Sequence, residues 1–337
     1  MTHRFLLVRL GSLGDVIHAI PAAAALRARF PESRIDWMVD PRYVPLLEMV
    51  RGIDSRIAVN TRQLARTTST IGDLRRVGYT AAIDLQGLLK SAILARAVHA
   101  ERTIGFARQH LRERTAGLFY THHVDPPVPQ HVIFKNLALL EPLGSRDTRV
   151  SFPLEIPHSE TVATVLGRFA GSPYAIVNPG AAWPNKRWPA NRFGGLAAAL
   201  SQRFGLRSLV LWGPGEEALA QGVVDAANGA AEAAPPTSIT DLFGLARRAR
   251  VMISGDTGPL HIGGAVGTPL VALFGPTYAD RNGPWSAGDV VIARTNACSC
   301  LYRRRCRRNV ACIDEIELPE VIEAVERRLI PPPRAEA

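Results

Sequence analysis

Short, unbroken apolar runs alternate along this chain with longer stretches in which apolar residues recur at helical spacing. FLLVRL at residues 5–10 is followed by the Ala-rich AIPAAAALRARF at 19–30, then by IDWMVD at 35–40 and VPLLEMV at 44–50. RIAVN and AAIDL read as further buried strands. The rhythm restarts at Tyr174, where YAIVN reads as a strand, ANRFGGLAAALSQRF as a helix, SLVLWG as a strand and GEEALAQGVVDAA as a helix; RVMIS and PLVALFG follow as strands. Continuous apolar strands separated by helices predict parallel sheets covered on both faces. The Pro-containing SFPLEIPHSE at 151–160 reads as a linker between the two runs. With 337 residues, more than one hydrophobic core usually serves. The expectation is an α/β chain of two doubly wound Rossmann-like domains, residues 1–155 and 156–318, facing across a cleft, with a C-terminal helix and tail at 319–337.

Ligands of such sheets bind at the carboxyl ends of the strands, so the loops after strands are the informative ones. GSLGD, after the first strand, lacks the Lys-Ser/Thr end of a P-loop and the G-x-G-x-x-G spacing of a dinucleotide fold. Asp15 in that loop has two readings, a helix cap or a general base at a strand end. Pro21, six residues on, is expected to shorten or kink any helix begun at Asp15. In SGDTGPLHIGGAVGTP, Pro259 suits a helix start and Gly267 a helix end. The N–H groups around Gly258 to His261 then offer an anion site, against the plainer reading of an Asp/Thr cap; the small and polar residues before the proline favour the anion. NPGAAWPNKRWP sets Lys186 and Arg187 between Trp183 and Trp188. Two tryptophans are extravagant in a surface turn, which favours a phosphate clamp over a solvated basic loop. Glu216 and Glu217 open a helix, where carboxylates suit the dipole and where a contact to ribose hydroxyls is the alternative.

Composition adds the partner's sign. Hydrophobic residues make up 47% and charged residues 21%, as in a globular protein, and the formal charge is +10 with a pI near 10.1. Such a surface attracts polyanions. No helix-turn-helix, RNA-binding aromatic strand or zinc-finger spacing points to nucleic acid. Arg9 and Asp15 interrupt the N-terminal apolar stretch, against a secretory signal and for a cytoplasmic location. The uncharged run from Thr257 to Ala279 is broken by Pro259, Pro269 and Pro276 and reads as buried α/β structure, not a membrane span. Cys298, Cys300, Cys306 and Cys312 fall within fifteen residues. Their C-x-C-x5-C-x5-C spacing matches no common zinc motif, so free thiols and a metal loop are both open.

Taken together, RLGSLGDVIHAIPA, YTAAIDLQGLLKSA, RERTAGLFY, the NKRWP loop and SGDTGPLHIGGAVGTPLVALFGPT resemble the lipopolysaccharide heptosyltransferases of glycosyltransferase family 9. The pairing of SLGDVIH with IDLQGLLKSA is closer to the enzymes that add the first heptose. The resemblance implies a GT-B fold and inverting transfer of L-glycero-D-manno-heptose from ADP-heptose to Kdo of the lipid A inner core. It makes Asp15 the base, sets Lys186 on the donor phosphates, and puts Asp256, Thr257 and Gly258 in the donor loop, where Arg187 and His261 join them. Glu216 or Glu217 falls near the nucleoside. Gly14, Lys90, Ser91, Arg62 and Arg112 fall on the acceptor side. Inverting transfer needs a base and charge stabilisation of the departing diphosphate, which cations and a helix N-terminus can supply. ADP-heptose is thus a substrate, no cofactor or metal is expected for the transfer, and no D-x-D motif is present. The expected partners are the ADP-sugar, the anionic acceptor and, transiently, the inner face of the inner membrane, served by arginines such as Arg62, Arg66, Arg75, Arg76, Arg102, Arg108, Arg112 and Arg114. Within the family, a later heptose or another sugar is the alternative; outside it, a non-catalytic sugar-nucleotide-binding protein. The tail, CSCLYRRRCRRNVAC, departs from the first-heptose pattern.

Overall fold

The computed structural model describes residues 3–127, 131–296 and 298–329, without the side chains of 64–66, so Arg66 and the tail beyond 329 lie outside the described residues. The chain divides into two compact units, residues 1–155 and 156–337. The boundary falls inside the Pro-containing segment.

Unit 1 runs β1 (Arg4–Val8), α1 (Leu13–Arg29), β2 (Arg34–Val39), α2 (Val44–Glu48), β3 (Ser55–Ala58), α3 (Leu64–Arg75), β4 (Ala81–Asp84), α4 (Leu89–Ala97), β5 (Arg102–Phe106), β6 (His122–Val124) and α5 (Val132–Ala138). Its six strands form one sheet in the order β3-β2-β1-β4-β5-β6. β1 is central and parallel to both neighbours, with Phe5 opposite Ile35 and Ala81. Phe5, Leu6, Leu7 and Val8 are all fully buried because both sheet faces are covered, each contributing about 1.5–3 kcal/mol.

Pro21 does not end α1, which is 17 residues long and runs on to Arg29. A proline at that position removes the N–H that would reach the Ile17 carbonyl. The neighbouring His18 carbonyl accepts a 3.0 Å hydrogen bond from the buried amide of Asn136 on α5, so packing against α5 supplies polar contact beside the gap.

Unit 2 repeats the plan with α6 (Glu160–Arg168), β7 (Tyr174–Asn178), α7 (Ala190–Phe204), β8 (Arg207–Val210), α8 (Glu217–Ala226), β9 (Ala231–Ala233), α9 (Ile239–Arg248), β10 (Val251–Gly255), α10 (Gly258–Ala265), β11 (Leu270–Phe274), α11 (Ala279–Asn282), β12 (Val290–Ala293) and α12 (Leu318–Leu329). The strand order is β12-β11-β10-β7-β8-β9, and Ile253 of β10 faces Val177 on one side and Val271 on the other. α12 is no detached tail: Val321, Ala324 and Val325 lie in the same core as α7 and β11. Each sheet starts in its middle and grows to both sides, so chain reversal at β1/β4 and at β7/β10 opens a crevice at the strand ends. Among the described residues no helix is long and apolar enough to cross a membrane.

Candidate active site

In unit 1 the backbone leaving β1 turns at Ser12, and Asp15 is the third residue of α1. Asp15 closes a capping box: its Oδ2 accepts from the Ser12 N–H at 3.1 Å and from the Ser12 hydroxyl at 2.8 Å. Its Oδ1 pairs with Arg9 at 2.6 Å, and the side chain keeps about a third of its surface exposed. The cap reading and an accessible carboxylate therefore hold together. Arg9 is buried, donates also to the Leu85 carbonyl, and fixes Asp15 from behind. Gly14 is buried in the first turn of α1. Across the crevice the Leu10 N–H donates to Gln86 at 2.8 Å, tying the loop after β1 to the loop after β4.

The loop after β4 is organised by Asp84, which is fully buried. Burial pushes its carboxyl up, against hydrogen bonds from Tyr120, the Gln86 N–H, Ser91 and the Gly87 N–H. Ser91 donates to Asp84 at 2.9 Å and is fully buried, so it supports this loop from within and has no exposed hydroxyl for an acceptor. Lys90 and Arg112 are exposed beside each other's elements, joined where Glu113 accepts from the Leu89 N–H at 2.7 Å. Arg62 is exposed after β3. These cations all follow carboxyl ends of the unit 1 sheet.

Unit 2 gathers its candidates more tightly. Asp256, at the end of β10, is buried and accepts from Lys186, from the Thr277 hydroxyl at 2.7 Å and from Asn282 at 2.6 Å, with His261 Nε2 3.6 Å away. Burial pushes this carboxyl up, but the His261 hydrogen bond and the Lys186 charge outweigh it and hold it well below the usual carboxylate range. Lys186 also lies 4.7 Å from the centre of the Trp183 ring. The Lys186 loop runs so close to β10 that a Cβ on Gly255 would stand 3.0 Å from the Lys186 carbonyl. Asn178, at the end of β7, donates to Ser254 at 3.0 Å and to Thr257 at 2.9 Å. Thr257 thus holds β7 to β10 and makes no side-chain cap on α10, whose first turn, Gly258 to His261, is left without one.

Two readings change. Trp188 is a core residue: it is buried, packs edge-on to Phe193 at 4.9 Å and donates to the Ile316 carbonyl at 2.8 Å. Only Trp183 stands with the lysine. The glutamates separate as well. Glu216 accepts from Arg187 at 3.1 Å and from the Gly213 N–H at 3.1 Å, and a Cβ on Gly180 would fall 2.1 Å from its carboxylate. Glu217 is exposed at the first position of α8. Asn178, Thr277, Asn282 and Arg9 were not singled out in the sequence, although the loop GPTYADRNGPW carries two of them.

The Lys186, Asp256 and Glu216 loops all fall within the span, residues 67–311, that matches the model of glycosyltransferase family 9 (heptosyltransferase). The chain belongs to that family. It is a glycosyltransferase, and its fold, two doubly wound α/β units, is GT-B. Family 9 relatives include lipopolysaccharide heptosyltransferase 1 of Pseudomonas aeruginosa, 28% identical over 90% of this chain and 87% of that one. Lipopolysaccharide heptosyltransferase 3 of Escherichia coli K12 is 27% identical over 94% of this chain and 95% of that one. Among solved structures, the family 9 glycosyltransferase from Veillonella parvula superposes with a TM-score of 0.82 at 25% identity, covering 97% of each chain. The E. coli heptosyltransferase WaaC with ADP gives 0.74 at 23% identity, covering 96% of this chain and 97% of that one. Asp15 lies N-terminal to the matched family span, inside a turn that the fold builds independently.

Proposed function

We propose that this family 9 enzyme transfers L-glycero-D-manno-heptose from ADP-heptose to Kdo of the lipid A inner core, with inversion at the anomeric carbon. The observation that carries the reading is the Lys186–Asp256 cluster. A buried carboxylate locks an ammonium beside an uncapped helix start, an arrangement suited to a departing diphosphate. The ammonium has three N–H groups, so Asp256 can orient it while another donates to phosphate. Arg187, held by Glu216, extends the positive charge, and Glu216 offers acceptor oxygens to the ribose hydroxyls. Asp15 takes the proton of the acceptor hydroxyl as that oxygen attacks the anomeric carbon and the bond to ADP breaks. No cofactor takes part, and no divalent ion is needed for the transfer because Lys186, Arg187 and α10 carry the charge. Rates should therefore be unchanged across a Mg2+ titration; a requirement for Mg2+ would contradict this assignment.

The acceptor's anionic, lipid-bound character matches unit 1. Leu118, 83% exposed, and Leu89 and Ile93 of α4 are exposed apolar side chains on elements that pack together. Lys90, Arg108, Arg112 and Arg114 are exposed on the same or adjoining segments. Exposed apolar side chains on segments that also expose cations suit a peripheral contact with an anionic leaflet at the cytoplasmic face of the inner membrane. A second reading, addition of a later heptose, is favoured by the kinship with heptosyltransferase 3. Mass-resolved assays with Kdo-lipid A and with heptosylated acceptors decide between them. The proposal expects one heptose added to Kdo-lipid A; transfer only to a heptosylated acceptor would move the enzyme further along the glycan, and donor binding with no transfer to any acceptor would make it a binding protein.

A further inference from the structure

The loop that follows β11 in unit 2 has two sides. In GPTYADRNGPW the Thr277 hydroxyl and the Asn282 amide turn inward and donate to Asp256. Tyr278 and Arg281, each next in the chain to one of those residues and three positions apart, are exposed. Tyr278 pairs with Tyr302, which lies in the segment after β12: the ring centres are 5.9 Å apart and the planes tilted by 54°. The Arg281 guanidinium stands 5.8 Å from the centre of the Tyr302 ring. Tyr278 is 44% exposed and Tyr302 43%, so the pair serves no core. Tyr302 is also held in the left-handed region, at φ 55°, which a bulky residue adopts only at a conformational cost. Its backbone is fixed on two sides. The Tyr302 N–H donates to the Pro276 carbonyl at 2.8 Å, and the Arg303 carbonyl accepts at 2.8 Å from buried Asn185, the neighbour of Lys186. An exposed ring is thus kept in place against its own backbone preference. The charge beside it is uncompensated. Arg308 pairs with Glu315, but among the described residues Arg281, Arg303, Arg304 and Arg305 have no carboxylate partner, and Asp280 on α11 pairs with none of them.

We propose that Tyr278, Tyr302 and Arg281, with Arg303, Arg304 and Arg305 beside them, form a subsite for an acidic sugar of the acceptor, one that carries a carboxylate or a phosphate. The inference rests on the reading of the enzyme as one that glycosylates an acidic glycan. The face of an aromatic ring is electron-rich and meets the C–H hydrogens on the face of a pyranose, while a guanidinium takes a carboxylate or phosphate through two parallel N–H donors. A sugar with one apolar face and one anionic group needs both kinds of partner side by side, as they stand here. An anionic bilayer would be served by the arginines alone and calls for no ring fixed in a strained turn. Thr277 and Asn282 anchor the inner side of the loop on Asp256, and its outer side carries Tyr278 and Arg281. A sugar on the rings and a diphosphate at Lys186 therefore do not compete for the same side chains.

The test is binding of a lipid-free Kdo disaccharide to the full chain in the presence of ADP, read by saturation-transfer NMR and titration calorimetry, with a neutral disaccharide as control. The proposal expects the acidic sugar to bind and the neutral one not to. Tyr278→Leu and Arg281→Gln should each weaken the acidic sugar at least about fivefold and leave ADP affinity within about twofold. Tyr302→Gly removes the ring and suits the left-handed turn, so it should weaken the sugar as much while Tm stays the same or rises. Turnover is not read, so a failure to transfer heptose to Kdo-lipid A would revise the functional reading and leave this result standing. No binding of the acidic sugar by wild type, or wild-type affinity in the three variants, would overturn the proposal. So would a loss of ADP affinity in them, which would make the rings a platform for the base, or unchanged sugar affinity with weakened binding to anionic vesicles, which would assign the patch to a bilayer.

Discussion

Asp256 holds Lys186, Thr277 and Asn282 together, so its loss is expected to act on stability as well as on rate. Asp256→Asn leaves the half-hidden ammonium without its counter-charge, and a cost of about 2–4 kcal/mol is expected at pH 7. The pH dependence has a definite sign. A carboxyl held below its ordinary range adds stability above the ordinary value, near 4, and that stability is lost as pH falls through the depressed one. Thermal melts from pH 7 down to 2 should show the gap between wild type and Asp256→Asn closing only below about pH 4; a gap that closes between pH 7 and 5 would contradict the pairing. Glu216→Ala should raise the donor KM about tenfold or more while Glu217→Ala stays near wild type, since only Glu216 faces Arg187 and Gly180. The sequence made both glutamates eligible. Nothing local could separate them, because what distinguishes them is Gly180, 36 residues away in the chain.

Elements with long apolar runs are legible in the sequence, and those made by contact are not. YAIVN and ANRFGGLAAALSQRF coincide with β7 and α7 to the residue. β5 does not show in the pattern because Gly105 interrupts its short apolar run, and there the Tyr120 ring lies so close that a Cβ would stand 2.3 Å away. That tyrosine reaches Asp84 at 2.7 Å, so the missing side chain serves the loop after β4. β6 and β9 are three-residue strands at sheet ends, too short to carry a pattern. The helix pair α7 and α8 shows the same dependence on a small residue. A Cβ on Gly194 would meet the Ala226 backbone at 2.7 Å. Gly194→Ala is therefore expected to cost about 1–3 kcal/mol by overpacking, read as a lower denaturant midpoint with an unchanged slope. An unaltered midpoint would show that α8 can shift freely.

At the scale of the molecule, the net charge of +10 includes the exposed cations of unit 1, where the proposed membrane contact lies. On the proposed function, the exposed cations of the elements that carry Leu118, Leu89 and Ile93 meet an anionic surface. Binding to vesicles containing anionic lipid should fall steeply with salt, and Leu118→Glu with Ile93→Glu should weaken it at least tenfold without lowering turnover of a soluble Kdo acceptor. Equal binding by wild type and the double variant would move the membrane contact elsewhere. The division into two units and the loops worth inspecting could be read from strand ends alone. The pairing of residues 70 apart, Lys186 with Asp256, could not, because parallel sheets bring distant turns together only after the crossovers are made.

In the proposed mechanism Asp15 is the base. Wild type and Asp15→Asn should be compared in single-turnover transfer from ADP-heptose to Kdo-lipid A, with ADP-heptose affinity and Tm measured on the same samples. The substitution keeps the shape of the capping box, so the fold should survive. Asp15→Asn should lose about 10²–10⁴-fold in the chemical rate with donor affinity within about twofold of wild type. A rate within tenfold of wild type, in a variant that binds donor normally, would contradict it.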